Sequence, residues 1–213
     1  PIGVAGITLL PGAVLDCNGH SITGDLVHNT GIKVLEGDGA KIMNCHVSNF
    51  GSNGLYIEYG NDVTIEHSSF DDNGGNGIYG VNSFNLEDAG GTLEINDVKA
   101  SNNGGIGMFV RGWREAIRLN KIVANENGYE ALKIYEPVVY PLNAIQIKHV
   151  TALNNNQEGQ SSGYNVGAIT AKNAKMISIE EATVVGGQIG ISAYLGDVVE
   201  LRDISVEDTG DLG

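Results

Sequence analysis

VTIEHSSFDDNGGNGIYG, Val63 to Gly80, is one copy of a unit that recurs along almost the whole chain. When its Ile65 is aligned with Ile42, Ile95, Leu119, Ile147, Ile179 and Leu201, the neighbouring residues fall into register. Two positions earlier stand Ala40, Val63, Leu93, Ile117, Ile145, Ile177 and Val199, and five later stand Val47, Phe70, Ala100, Ala124, Ala152, Val184 and Val206. Eight positions later, four copies carry asparagine: Asn73, Asn103, Asn127 and Asn155. About twelve later a new apolar pair opens, usually after glycine, as in Gly54-Leu55 and Gly77-Ile78. A fixed period of a little over twenty residues is the mark of a solenoid.

Within each unit the apolar positions step by two, skip, then step by two again, which is strand alternation broken by a tight corner and not helical spacing. Val63 to Ile65 reads as strand A, Glu66-His67 as the corner, and Ser68 to Phe70 as strand B. Asp71 to Asn76 makes a wider turn into strand C, Gly77 to Gly80, and a loop returns to the next strand A. Units that all travel the same way stack each strand in parallel on its counterpart, about 4.8 Å away. The pattern over residues 61–80 resembles the right-handed parallel β-helix of the pectate-lyase-like superfamily, and the likeness runs over residues 12–213. The resemblance implies an all-β, single-stranded parallel β-helix of about eight coils of three short strands. It also implies that the four asparagines form a ladder satisfying buried turn backbone. On activity it is nearly silent, because this fold carries many functions.

The composition fits one elongated domain over residues 1–213: an irregular first coil to residue 30, then regular coils with inserts near 81–91, 135–143 and 154–163. A net charge of −14 argues against nucleic acid, whose phosphates demand a basic surface. It also disfavours a plain electrostatic grip on an acidic polymer unless a divalent cation bridges the two. No apolar run reaches membrane-spanning length. The opening Pro1-Ile2-Gly3 and the ending VEDTGDLG, which offers no polar cap, read as the ends of a fragment of a larger extracellular or cell-surface protein. Protein neighbours are therefore expected at the uncapped ends. Matching Ile22 to Val47 puts Cys17 over Ile42 and His20 over Cys45. Two buried thiols are expected ahead of a Cys17–Cys45 disulfide, and the redox compartment stays open.

Function is expected where the repeat departs from itself. Three consecutive loops from strand C to strand A are elaborated: VNSFNLEDAGG (Val81 to Gly91), RGWRE (Arg111 to Glu115) and YEPVVYPLN (Tyr135 to Asn143). Six of the twelve basic residues lie between Arg111 and Lys148, which makes this third of an acidic chain locally cationic. The outward strand-A positions there are Glu94 and Asn96, Arg118 and Asn120, and Gln146 and Lys148. The expected site is a groove on this face in coils four to six, with Arg118 and Lys148 central, Glu94 at one edge, walls of Trp113, Tyr135 and Tyr140, and Arg111 and Arg114 among the substrate-binding residues. Such a groove suits polysaccharide, since sugars stack on aromatic rings and a uronate carboxylate pairs with arginine. If it cleaves by β-elimination, Arg118 or Lys148 is the base, a role for which arginine needs a very large shift. Arg114, or a calcium ion held by Glu94 and Glu66, then neutralises the acid.

No catalytic motif of the resembling enzymes occurs: no WIDH-like run, no Arg-x-Pro-x-x-Arg, no Asp-Pro-His and no Gly-His-Gly. No family residue carries over, and the competing expectation is a non-catalytic structural or assembly module. Two other columns stand out. Asn44, His67, Asp97, Lys121, His149, Glu181 and Asp203 share the corner between strands A and B and read as a mixed-charge surface ladder. Tyr56, Tyr79 and Phe109 form an aromatic stripe on strand C, expected to mark a contact.

Overall fold

A computed structural model describes residues 5–27, 29–82, 90–135, 142–155, 168–187 and 189–209, with backbone only at Tyr135. All regular structure in these residues is parallel β-strand, wound as a solenoid of eight stacked layers. The strand-C line runs Ala5–Leu9, Thr30–Leu35, Asn53–Glu58, Ile78–Val81, Met108–Arg111 and Leu132–Tyr135, then enters Ile169–Val185 and Ile191–Glu207. Strand A of coil three continues through the corner into strand B as Val63–Asp71, and the later coils do the same. Seven steps between layers give a rod about 34 Å long. No described helix is long and apolar enough to cross a membrane.

The register follows the repeat residue by residue. Ile65 pairs with Ile42 on one side and Ile95 on the other, and the row continues through Leu119, Ile147 and Ile179 to Leu201. From Ile42 to Ile179 no member of that row is more than 1 % exposed. Each such aliphatic side chain contributes about 1.5–3 kcal/mol through burial. The row opens at its end: Leu201 is 50 % exposed, and Val199 and Val206 are exposed beside it.

The corner between strands A and B is a single residue in the left-handed region. His67 has φ 48°, and Asn44, Asp97, Lys121, His149, Glu181 and Asp203 lie between 51° and 55°. One such residue reverses the in–out alternation and turns the chain, so Glu66 and His67 both point outward while Ser68 returns inward. In coils seven and eight the loop from C to A also shrinks to single left-handed residues, Asn173 and Leu195.

Inside the wider turn the four asparagines form the expected ladder. Asn73 Nδ2 donates to Asn103 Oδ1 at 3.1 Å, Asn103 to Asn127 at 3.1 Å and Asn127 to Asn155 at 2.9 Å. Each Oδ1 also accepts the backbone N–H of the preceding asparagine. Phe50 occupies the ladder position in coil two and donates its N–H to Asn73 Oδ1. The ladder stops at Gly187 in coil seven.

The first coil corrects the cysteine expectation. Leu15, not Cys17, pairs with Ile42, while Ile22 does pair with Val47. The first corner therefore holds two more residues than the second, a turn at Asn18-Gly19 with both residues at positive φ. This slip carries Cys17 next to Cys45, with Cα atoms 4.9 Å apart, and the two form a disulfide. Replacing both cysteines by alanine is expected to destabilise the first coil by about 3 kcal/mol. The check is hydrogen exchange: amides of residues 14–23 should lose protection while coils four to six keep theirs. Unchanged protection in the first coil would refute it.

Of the three expected inserts, residues 83–89, 136–141 and 156–167 lie outside the described residues.

Candidate functional site

The outward face of strand A carries two columns of side chains, polar apart from Met43 and fixed one coil apart by the parallel register. The first is Lys41, Thr64, Glu94, Arg118, Gln146, Ser178 and Glu200. The second is Met43, Glu66, Asn96, Asn120, Lys148, Glu180 and Arg202. Their charges pair along the rod. Lys41 Nζ lies 2.7 Å from Glu66 Oε2, Arg118 Nη1 lies 3.0 Å from Glu94 Oε1, and Lys148 Nζ lies 2.8 Å from Glu180 Oε2. The hydrogen bond from Lys148 holds the Glu180 carboxyl below the usual carboxylate range, and the charges of Lys148, Arg202 and His149 act in the same sense. Between the ion pairs, Asn120 Nδ2 donates to Asn96 Oδ1 at 2.8 Å. A depression of about 240 Å³ opens at the start of strand A in coils three and four, lined by Asp62, Val63, Thr64, Thr92 and Glu94.

The expected site residues divide. Glu94, Asn96, Arg118, Asn120, Gln146 and Lys148 do share one outward face in consecutive coils. Trp113 does not wall it. Its side chain is 0 % exposed, inside the rod, with Nε1 donating to Gly60 O at 2.9 Å. The reason is a missing side chain: Gly80 stands at an inward strand-C position between Ile57 and Val110. A Cβ there would come within 2.8 Å of the indole ring. The indole fills that space, and burial of so large an apolar surface outweighs exposing it to recruit a sugar. Arg111 belongs to strand C, paired with Val81, and is half-buried there. Arg114 is exposed in the loop below strand C, where its carbonyl accepts from Asn143 N at 3.0 Å. The Tyr135 side chain and all of Tyr140 lie outside the described residues. Glu66 and Glu94 each meet a cation, Lys41 and Arg118, and among the described residues no three His, Cys, Asp or Glu side chains converge as metal ligands.

The aromatic stripe on strand C is real but spends its faces on itself. Tyr56 and Tyr79 stack at 5.5 Å and Tyr79 and Phe109 at 4.9 Å, nearly parallel, while Lys33 Nζ lies 5.3 Å from the Tyr56 centroid. Burial, then the nearby Glu58 carboxylate and the Tyr79 and Tyr59 phenols, push the Tyr56 phenol above its ordinary range. Edges, not ring faces, are presented outward.

Residues 10–121, just over half of the chain, match the family described as "Right handed beta helix region". The chain belongs to the right-handed β-helix family. No curated protein sequence matches it. Among solved structures this β-helix is similar to that of pectate lyase Pel9A, with a TM-score of 0.51 and 15 % sequence identity. The alignment covers 79 % of this chain and 55 % of the lyase chain, so the β-helix spans about half the length of that neighbour. At this identity the likeness is one of fold.

A larger depression than the one on strand A follows the corner between strands A and B. It is an open groove of about 500 Å³ spanning coils two to five, with His46, His67, Asp97, Lys99 and Lys121 in its walls. The corner column is visible in the sequence as an ordinary surface ladder. Its groove is not, because the strand-B column His46, Ser69, Lys99 and Val123 has to be laid beside it before the two together form a concave wall.

Proposed function

We propose that this β-helix is a carbohydrate-recognition module whose strand-A face in coils four to six binds acidic polysaccharide. The observation that carries the reading is the outward ladder of Glu94, Arg118 and Gln146 beside Asn96, Asn120 and Lys148, set at fixed coil spacing. A regular row of amide and cationic groups offers repeated hydrogen bonds to an extended polymer, and a uronate carboxylate can displace Glu94 from Arg118 in bidentate geometry. The fold shared with a pectate lyase supports a polysaccharide-related role. The disulfide fits an oxidising compartment, and an extracellular or surface location is part of the proposal.

Recognition is favoured over cleavage. Arginine stays charged in proteins, which suits Arg118 to holding a carboxylate and not to removing a proton. Lys148, the other candidate base, is engaged by Glu180. A second reading, a structural or assembly module, is favoured by the stacked aromatic stripe of Tyr56, Tyr79 and Phe109 on strand C.

The test is calorimetric titration with polygalacturonate, alginate and a neutral glucan, with and without calcium. A parallel ultraviolet assay reports the unsaturated product of elimination. Saturable binding to an acidic polymer is expected, weakened about tenfold by Arg118→Ala or Lys148→Ala, with no ultraviolet signal. A signal abolished by Lys148→Ala would replace recognition with lyase activity. No binding to any acidic polymer would leave the structural module as the reading.

A further inference from the structure

We propose that His149 is a positioning residue of the strand-A face, which orients the amides of Asn120 and Asn96 so that their row ends in an N–H donor for an acidic polymer. This control acts on the polysaccharide site proposed above and rests on that reading.

His149 sits at the A–B corner of coil six with both ring nitrogens against acceptors. Its Nδ1 lies 2.8 Å from Asn120 Oδ1, one coil back, and its Nε2 lies 3.2 Å from Glu181 Oε2, one coil on. A carbonyl oxygen and an ionised carboxylate only accept, so each nitrogen carries a hydrogen and the ring is an imidazolium. Asn120, its oxygen occupied, donates from Nδ2 to Asn96 Oδ1 at 2.8 Å. Asn96 is left with its Nδ2 hydrogens, which meet no acceptor among the described residues. Glu66, the next residue in that column, is taken by Lys41. From His149 to Asn96 the hydrogen bonds therefore run in one direction through coils six, five and four, anchored on Glu181 in coil seven. Hydrogen bonds in such a chain polarise and strengthen one another.

Loss of the Nδ1 proton reverses the row. A bare Nδ1 accepts, so it takes a hydrogen from Asn120 Nδ2 once that amide turns over. Asn120 Oδ1 then accepts from Asn96 Nδ2, and the free end of the row becomes the Asn96 oxygen. One proton at the corner, two coils away from Asn96, decides whether the row ends in a donor or an acceptor. A donor end suits a carboxylate or sulfate, in the coil where Glu94 meets Arg118. An acceptor end repels the same group.

The charged groups around His149 come from every neighbouring strand. Lys148 on its own strand pairs with Glu180, Lys121 holds the corner before it and Glu181 the corner after, and Arg202 and Asp203 follow in coil eight. Lys121, Lys148 and Arg202 balance Glu180, Glu181 and Asp203, so the imidazolium is the charge that tips this corner positive.

The test has two arms. Without ligand, nitrogen-15 NMR follows the His149 ring and the side-chain amides of Asn96 and Asn120 from about pH 5 to about pH 8, the span in which histidine changes charge. Both amide signals are expected to move with the His149 transition and to stop moving in His149→Asn. Asparagine is the residue at this corner in coil two, with φ 55°, so the variant suits the left-handed backbone. With ligand, calorimetry uses dextran sulfate, whose charge is constant over this range, and a neutral glucan. Dextran sulfate is expected to bind about tenfold more tightly at the acid end than at the alkaline end. His149→Asn should remove that difference, His67→Asn should keep it, and the neutral glucan should show none. Amide signals indifferent to the His149 transition would overturn the proposal, as would a pH dependence of binding that survives His149→Asn. If the amides follow His149 but dextran sulfate binds at neither pH, the strand-A reading falls and the ligand-selecting role with it, while the hydrogen-bond relay stands.

Discussion

Trp113→Ala is expected to cost about 4 kcal/mol of stability. The indole is fully buried, next to Gly80, and Nε1 donates to Gly60 O. Truncation empties the space that the indole fills beside Gly80, in a column whose strands are fixed by neighbours on both sides, so the hole cannot close by collapse. It also strands the Gly60 carbonyl. Trp113→Phe keeps most of the volume and loses the hydrogen bond, so it should cost about 1–2 kcal/mol. Trp113 is the only tryptophan, and native fluorescence reports it directly. The native emission should be blue-shifted and move to the red on urea unfolding. A solvent-exposed spectrum in the folded protein, or an alanine variant as stable as the parent, would contradict the buried placement.

Asn103→Leu is expected to cost about 3 kcal/mol or more, although leucine is nearly the same size. Oδ1 of Asn103 accepts both N–H and Nδ2–H of Asn73, and its own Nδ2 donates to Phe70 O and Asn127 Oδ1. All of this lies inside the rod, where a group that loses its partner has no water to replace it. The variant should unfold at lower urea and lose exchange protection at the Asn73 amide first. Asn120→Ala is the control: its amide pairs with Asn96 on the outer face, where water can substitute, and it should change stability by less than about 1 kcal/mol. Equal effects at Asn103 and Asn120 would show that the buried ladder is not what holds the turns.

What could be read from the sequence follows from where the repeat applies. Every aligned strand position from Ile42 to Leu201 pairs as the period demands, because a strand in a solenoid has only two neighbours and both obey the same spacing. Trp113 lies in a loop, outside the period, and an aromatic there has no fixed side. Its placement had a signal all the same: the inward column Val34, Ile57, Gly80, Val110 and Ile134 contains one glycine, and a hole in an aliphatic column has to be filled from elsewhere. Cys17 was displaced by the two extra residues at Asn18-Gly19, which anchoring on Ile22 alone cannot detect. On the strand-A face the period placed Arg118 and Glu94 side by side but not their ion pair. Whether long side chains reach along the column or out to solvent is a matter of rotamers, not of spacing.

Because the hydrogen bonds of the coils run along the rod, tension applied between its two ends loads the layers in series, and the weakest junction yields first. A covalent bond ties coil one to coil two, and buried amides tie coils two to six. Beyond coil six the rungs end at Gly187, and coils seven and eight are joined by strand pairing. Under load the layers after coil six part before those that the disulfide and the amide ladder hold, and each releases the length of its own coil. Its mechanical polarity is set by which end holds the cysteines.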